Sequence, residues 1–247
     1  MMSIGLNLPK KNGLFITGTD TGVGKTLIAG AIAKILTDDG LKVAVFKPIA
    51  TGCIHHWEGL VSKDSKFLAY CANSNLPLSA INPVGYVTAA APIVSAAEEH
   101  RQIDFAAIAS AYREICQNCD IVIIEGIGGL RVPLTEEFDL RNLAAEFNLP
   151  MVIVARPTLG TINHTLMTID SARAANLQIA GVVINGYNST TATIAEETAA
   201  QTITQCGNAA VLAIVPFDKT IDIENNCLGE LILPSLAPCD WAKLARQ

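Results

Sequence analysis

The sequence predicts an α/β fold, a mostly parallel sheet with helices on both faces, and three observations lead there. Short β-branched runs alternate with longer segments of helical periodicity along the chain. Half of the 247 residues are hydrophobic and only 16% are charged, which supplies a substantial core and excludes a disordered chain. The first apolar run passes through a glycine-containing loop straight into an apolar helix, a strand-to-helix unit of the parallel class. One domain over residues 1–247 is expected, since no linker, internal repeat or low-complexity tract interrupts the pattern.

The elements follow in order. A strand is expected over 13–17 and a helix over 25–39, stopped by Gly40, then a strand over 42–47 and a helix over 63–71. Residues 73–92 are rich in turn formers and receive no assignment. A helix over 104–116 turns the stripe Ile103, Ile108, Tyr112 and Ile115 to the core. The strand over 120–125 carries four consecutive apolar residues, as expected for burial on both faces. Helices over 140–147, 161–175 and 190–205 then alternate with strands over 150–155, 178–185 and 210–215.

Charge and cysteine content narrow the function. A net charge of -6 disfavours phosphate-backbone binding, so no nucleic-acid partner is expected. The apolar runs are strand length, short of the roughly 20 residues that span a bilayer, and the opening residues show no secretory pattern. A cytoplasmic location with no membrane partner is expected. Seven cysteines, an odd number, disfavour a disulfide framework. Cys116 and Cys119 form a lone CxxC without a second pair, so buried or incidental thiols are expected before a zinc or redox site.

The segment from Gly13 to Thr26 reads Gly-Leu-Phe-Ile-Thr-Gly-Thr-Asp-Thr-Gly-Val-Gly-Lys-Thr. Backbone N–H groups of Gly22, Val23, Gly24 and the following Lys25, Thr26 and Leu27 sit where a loop and a helix N-terminus surround phosphate oxygens. Lys25 is expected to reach the β- and γ-phosphates of ATP, and the Thr26 hydroxyl to hold Mg2+. Five residues separate Gly18 from Gly24 instead of four, so this is a variant P-loop in a P-loop NTPase-like fold. Glu125, at the end of its strand before Gly126-Ile127-Gly128-Gly129, fits a magnesium ligand at the carboxyl edge of the sheet. Lys47 and Thr51, in Lys-Pro-Ile-Ala-Thr-Gly, place a cation and a hydroxyl at the same edge.

Together these residues, with Asp64, Gly160-Thr-Ile-Asn-His164 and Asn185, resemble the dethiobiotin synthetase family of P-loop ligases over nearly the whole chain. In that family the long first loop is usual. The resemblance implies that 7,8-diaminononanoate, carbon dioxide (or bicarbonate) and ATP become dethiobiotin, ADP and phosphate. A substrate amine takes up carbon dioxide as a carbamate, whose oxygen attacks the γ-phosphate to give a carbamic-phosphoric anhydride, and the second amine closes the ring. It implies Mg2+ held by Thr26, Asp64 and Glu125, and Lys47 and Thr51 at the reacting end of the substrate. Two anions meeting at phosphorus need cations between them, which Lys25, Lys47 and the metal supply.

The same resemblance puts the substrate carboxylate at a helix start of the second subunit of a homodimer, matching Gly160, Thr161 and Asn163. The alternative is that Thr161 simply caps that helix. Asn185 with Gly186 matches the purine-reading position, and Pro216-Phe217 the loop beside it. Gly22 and Gly186 depart from acidic residues found in some members. His164 is expected to be a structural hydrogen-bonder, and His55 and His56 carry no assignment. The family belongs to a wider P-loop group with cobyrinic acid amidases and partitioning ATPases. Asp20 stands where the partitioning ATPases carry a further lysine, and the glutamine amidotransferase domain that the amidases append is not expected within 247 residues. A non-catalytic nucleotide-binding relative is the remaining alternative, against which Lys47 and Thr51 count.

Overall fold

All six apolar runs expected as strands are strands, and they form one six-stranded parallel sheet. The computed structural model describes residues 3–57 and 59–246. Its first half contains β1 (Gly13–Gly18), α1 (Lys25–Asp38), β2 (Val43–Phe46), β3 (Ile49–Thr51), β4 (Ile54–His56), β5 (Gly59–Val61), α2 (Lys63–Cys71), α3 (Leu78–Ile81), β6 (Val84–Tyr86), α4 (Pro92–Glu98) and α5 (Phe105–Ile115). There follow β7 (Ile121–Gly129), α6 (Leu140–Phe147), β8 (Met151–Ala155), α7 (Thr161–Arg173), β9 (Ile179–Tyr187), α8 (Ile194–Gly207), β10 (Val211–Pro216), α9 (Ile232–Leu236) and α10 (Trp241–Leu244). The strand order is β10-β9-β8-β1-β7-β2, with a parallel β3–β6 pair and an antiparallel β4–β5 hairpin beside it.

The sheet centre is apolar on both faces, which is why β1, β7 and β8 read as unbroken hydrophobic runs. One face packs on a cluster in which Phe15, Phe46, Tyr112 and Phe147 meet with ring centroids 4.9 to 6.1 Å apart. The stripe Ile103, Ile108, Tyr112 and Ile115 belongs to this cluster. The other face is covered by α1, buried from Lys25 to Ala33 and therefore rich in Ala, Ile and Leu. At Gly30 a Cβ would lie 2.6 Å from Phe67 and 2.9 Å from Cys71, so α2 approaches α1 closely only because that residue is glycine. Since α2 carries Asp64, this contact helps set the distance from Asp64 to the loop before α1.

Helix ends follow the local chemistry. Gly40 ends α1 with φ 86°, its N–H on Thr37 O and that of Leu41 on Leu36 O, a Schellman motif. α8 begins at Ile194, four residues later than the sequence suggested, because Thr193 and Glu196 form a capping box. Residues 73–92 hold α3, β6 and the start of α4, elements of three to seven residues that are too short to show a period.

Past β10, Asp218 anchors the loop that leads to α9. It accepts hydrogen bonds from the N–H groups of Thr220 at 2.8 Å, Glu230 at 2.7 Å and Leu231 at 2.9 Å. Bonding to Thr220 and these amides holds its carboxyl down to about 2. A depressed acid contributes stability that is complete above the unfolded carboxylate value, about 3.9, and disappears as pH falls toward the folded value. Acid unfolding followed by circular dichroism is therefore expected to lose part of its slope between about pH 4 and pH 2 in Asp218→Asn, which also melts lower than wild type at pH 7.

Candidate active site

Four chain segments deliver charged or hydroxylic side chains to the carboxyl edge of β1, β7 and β2. They line a cavity of about 370 Å³ bordered by Thr21, Gly22, Gly24, Lys25, Thr26, Lys47, Thr51, Asp64, Glu125, Ile127 and Gly128, with Ala50 and Ile223. The loop between β1 and α1 enters the helix through Gly24, which is left-handed at φ 94°. A Cβ there would stand 2.1 Å from Asn185 Nδ2, so this glycine is required both by its φ and by the close approach of β9. Gly22, also left-handed at φ 72°, meets nothing within 4 Å. A side chain at that position would be strained by the backbone, not crowded.

Glu125 is the hub. It is 1% exposed, and its Oε1 accepts from Thr26 Oγ1 at 2.9 Å and from Lys47 Nζ at 2.7 Å. Lys47 also donates to Gly126 O at 3.0 Å and pairs with Asp64 Oδ2 at 2.8 Å. Glu125 Oε2 is buried without a hydrogen-bond partner among the described residues. Such an atom is costly unless something else completes its shell. A buried carboxylate oxygen, a hydroxyl and the half-exposed Asp64 make an all-oxygen donor set that suits a hard divalent cation such as Mg2+.

The charges of this cluster depend on one another. Burial acts against the Lys47 ammonium, but Glu125 and Asp64 together outweigh it and push its pKa up. Burial also pushes Glu125 up, and Lys47 opposes this without cancelling it, because the like charge of Asp64 adds to the upward push. Asp64 would be raised by burial, yet its contact with Lys47 brings it below the ordinary carboxylate value. Lys25 is lowered, by burial first and with Glu125 in opposition, and its Nζ donates to Asp20 O at 3.0 Å. The phosphate-loop lysine thus folds back on its own loop, where it is available to exchange a carbonyl for a stronger anionic acceptor.

Several expected positions need correction. Glu125 does not end its strand: β7 continues to Gly129, and beyond Ile16↔Glu125 its register with β1 shifts. Asn185 likewise lies within β9, which runs on to Tyr187, and its Nδ2 donates to Val23 O at 2.9 Å. The cap of α7 is Gly160, at φ 95°, while Thr161 is the first helical residue and its Oγ1 has no partner among the described residues. Val23 and Leu27 turn their side chains into the core, so only their backbone remains for a ligand. Gly126 is buried and offers its carbonyl to Lys47. Gly160, Thr161, Asn163, Gly186, Pro216 and Phe217 do not border the cavity. Phe217 is exposed, and its N–H donates to Tyr187 O at 2.7 Å, which holds it beside Gly186.

Three contributors escaped the sequence. Arg156, just past β8, donates to Asp20 Oδ2 at 3.0 Å and to Thr21 O at 2.7 Å, and so closes the long loop from outside. Ile223 enters the cavity from the loop that Asp218 anchors. Asn82 bonds to the backbone of Lys47. No spacing signals any of them, since each acts across the fold.

A phosphate loop at the carboxyl edge of a parallel sheet, with a lysine, a hydroxyl and two carboxylates converging on it, defines a P-loop α/β nucleotide-binding protein. A family model described as "AAA domain" matches residues 12–225. The septum site-determining protein MinD of Pyrococcus horikoshii, solved as its Mg-ADP complex, shares this fold with a TM-score of 0.55 and 17% identity, covering 95% of this chain and 93% of its own. The chain belongs to the ATP-dependent dethiobiotin synthetase family. It is 36% identical over 227 residues to the ATP-dependent dethiobiotin synthetase BioD of Thermodesulfovibrio yellowstonii, covering 89% of this chain and 94% of that one. With the protein of the same name from Methanococcus vannielii it is 32% identical, over 90% of this chain and 100% of the other.

Proposed function

We propose that the chain is an ATP- and magnesium-dependent dethiobiotin synthetase, joining 7,8-diaminononanoate and carbon dioxide with release of ADP and phosphate. The observation that carries this reading is Glu125 Oε1, which binds the nucleotide-side Thr26 and the substrate-side Lys47 at once. A protein that only bound nucleotide would have no use for a second buried lysine held in the charged form by two carboxylates. Thr26, Asp64 and Glu125 would hold Mg2+, which when bound supplies positive charge to the phosphate oxygens. Lys25 serves the β- and γ-phosphates from the loop side. Lys47 and Thr51 face the carbamate, so the nucleophilic oxygen approaches phosphorus between two ammonium groups. No covalent enzyme intermediate is needed, because the substrate carries both nucleophiles.

Asn185 with Gly186, and Pro216 with Phe217, form the base-reading side in this proposal. Gly160, Thr161 and Asn163 would receive the substrate carboxylate across a homodimer, where the N–H groups at the start of α7 suit an anion. A cytoplasmic location without nucleic-acid or membrane partners completes the reading. Among the described residues no helix is long and apolar enough to cross a membrane.

Incubation with diaminononanoate, bicarbonate, ATP and Mg2+, with products followed by mass, is expected to yield dethiobiotin and ADP in equal amounts. ADP without dethiobiotin would refute the assignment. Asp64→Asn and Glu125→Gln are each expected to raise the Mg2+ needed for half-maximal turnover at least about tenfold, or about 1.4 kcal/mol. Magnesium-dependent ATP binding, titrated calorimetrically, should shift in the same direction. Unchanged magnesium curves in both variants would remove these carboxylates from the metal site.

A further inference from the structure

Lys47 leaves β2, the edge strand of the sheet, on whose outer side no strand pairs among the described residues to hold its backbone. Pro48 follows and has no N–H, so the chain cannot secure this turn by its own ladder. The grip comes from two consecutive residues at the end of α3, its last residue and its C-cap. The Lys47 N–H donates to Ile81 O at 2.8 Å. The Asn82 side chain, 4% exposed, donates from Nδ2 to Lys47 O at 2.8 Å and to Val84 O at 3.1 Å.

Val84 opens β6 and Lys47 lies two residues before β3, in a pair whose register sets Ile49 against Val84 and Thr51 against Tyr86. One primary amide therefore ties together the backbone of Lys47 and the strand that positions Thr51. The chemistry requires two N–H donors on one uncharged atom, which asparagine has and which no hydroxyl or carboxylate provides. The buried Lys47 ammonium must fall within hydrogen-bond distance of both Glu125 and Asp64, so a displacement of its backbone is felt at the reacting end.

We propose that Asn82 is a positioning residue for the reaction, its carboxamide fixing Lys47 and the Thr51 strand against Glu125 and the phosphate loop. This rests on the reading of Lys47 as the substrate-side cation. Asn82→Leu keeps the four-atom side chain branched at Cγ and removes both donors, at the cost of two bulkier methyl groups in a buried site, and Asn82→Ser is a smaller change that retains one donor. Single-turnover dethiobiotin formation at saturating substrates is expected to fall roughly 30- to 100-fold in Asn82→Leu and by a smaller factor in Asn82→Ser. ATP affinity by calorimetry should remain within about threefold of wild type, because the loop before α1 is untouched. In a Lys47→Ala background, either substitution should add no further loss, since it acts through a group already removed.

Wild-type turnover in a folded variant that merely melts lower would assign Asn82 a structural role and overturn the proposal. So would losses that multiply with those of Lys47→Ala, or ATP affinity that falls in step with turnover. If Asn82→Leu does not fold, Asn82→Ser decides by the same three criteria. Wild-type turnover in Lys47→Ala alone would instead overturn the reading of Lys47, a distinct outcome.

Discussion

Lys25→Ala is expected to lower dethiobiotin formation by on the order of 10³-fold or more while leaving the fold intact. The size follows from the reaction class: transfer of a phosphoryl group to an anionic carbamate is driven by positioned positive charge, with little covalent work for the protein. On the proposed reading Lys25 is the cation on the nucleotide side, and it stands at the first turn of α1, beside the Thr26 hydroxyl. Its removal should weaken ATP binding as well, because the same ammonium meets the phosphates in the ground state. The fold should tolerate the change, since among the described residues the Lys25 side chain makes one hydrogen bond, to its own loop, and Glu125 keeps its pairing with Lys47. Burial already disfavours the Lys25 charge, so its loss also relieves a desolvation cost. Circular dichroism with calorimetric ATP titration and a product assay checks all three points. Near wild-type turnover in the folded variant would remove the P-loop reading.

The second large effect separates binding from chemistry. Lys47→Ala is expected to retain ATP binding within a few fold while carbamate phosphorylation falls by about 10²- to 10³-fold. The lost contact is worth most when negative charge converges on the γ-phosphate, and least when ATP binds alone. Stability should fall too, because this ammonium is the shared partner of Glu125 and Asp64. Removing one partner of a buried pair typically costs about 3–5 kcal/mol. Lys47→Met retains the packing of the aliphatic stem and guards against misreading an unfolding effect. Calorimetry of ATP binding beside single-turnover kinetics decides the matter: a variant that loses ATP affinity as completely as Lys25→Ala would place Lys47 on the nucleotide.

Legibility in the sequence tracked the range of the interaction. The central strands β1, β7 and β8 were readable because parallel strands buried on both faces are apolar over long runs, as Ile121 to Ile124 are. The flanking β9 and β10, only partly buried, kept short β-branched runs of their own. The phosphate loop was readable because its function resides in consecutive backbone groups. Glu125 was suggested by its place at the end of an apolar run, whereas Asp64, far away in the chain, entered only through the family likeness. The segment over 73–92 was unreadable: β6 is three residues long and α3 four, below any period. Its importance comes from Asn82, which acts on a residue 35 positions earlier.

The sequence by itself determined the class of fold, the strand-loop-helix that meets phosphate and the identity of the groups at the sheet edge. Periodicity, glycine placement and side-chain chemistry are local properties, and they survive being read one residue after another. Only the tertiary structure decided that Glu125 is a buried hub with one oxygen unpartnered, that Lys47 is held charged between two carboxylates, and that Arg156, Ile223 and Asn82 support the site. The physical reason is that burial and electrostatic coupling are fixed by which segments meet. The parallel crossovers bring the ends of β1, β2 and β7 to one edge, where a few ångströms set both the charge and the use of every group.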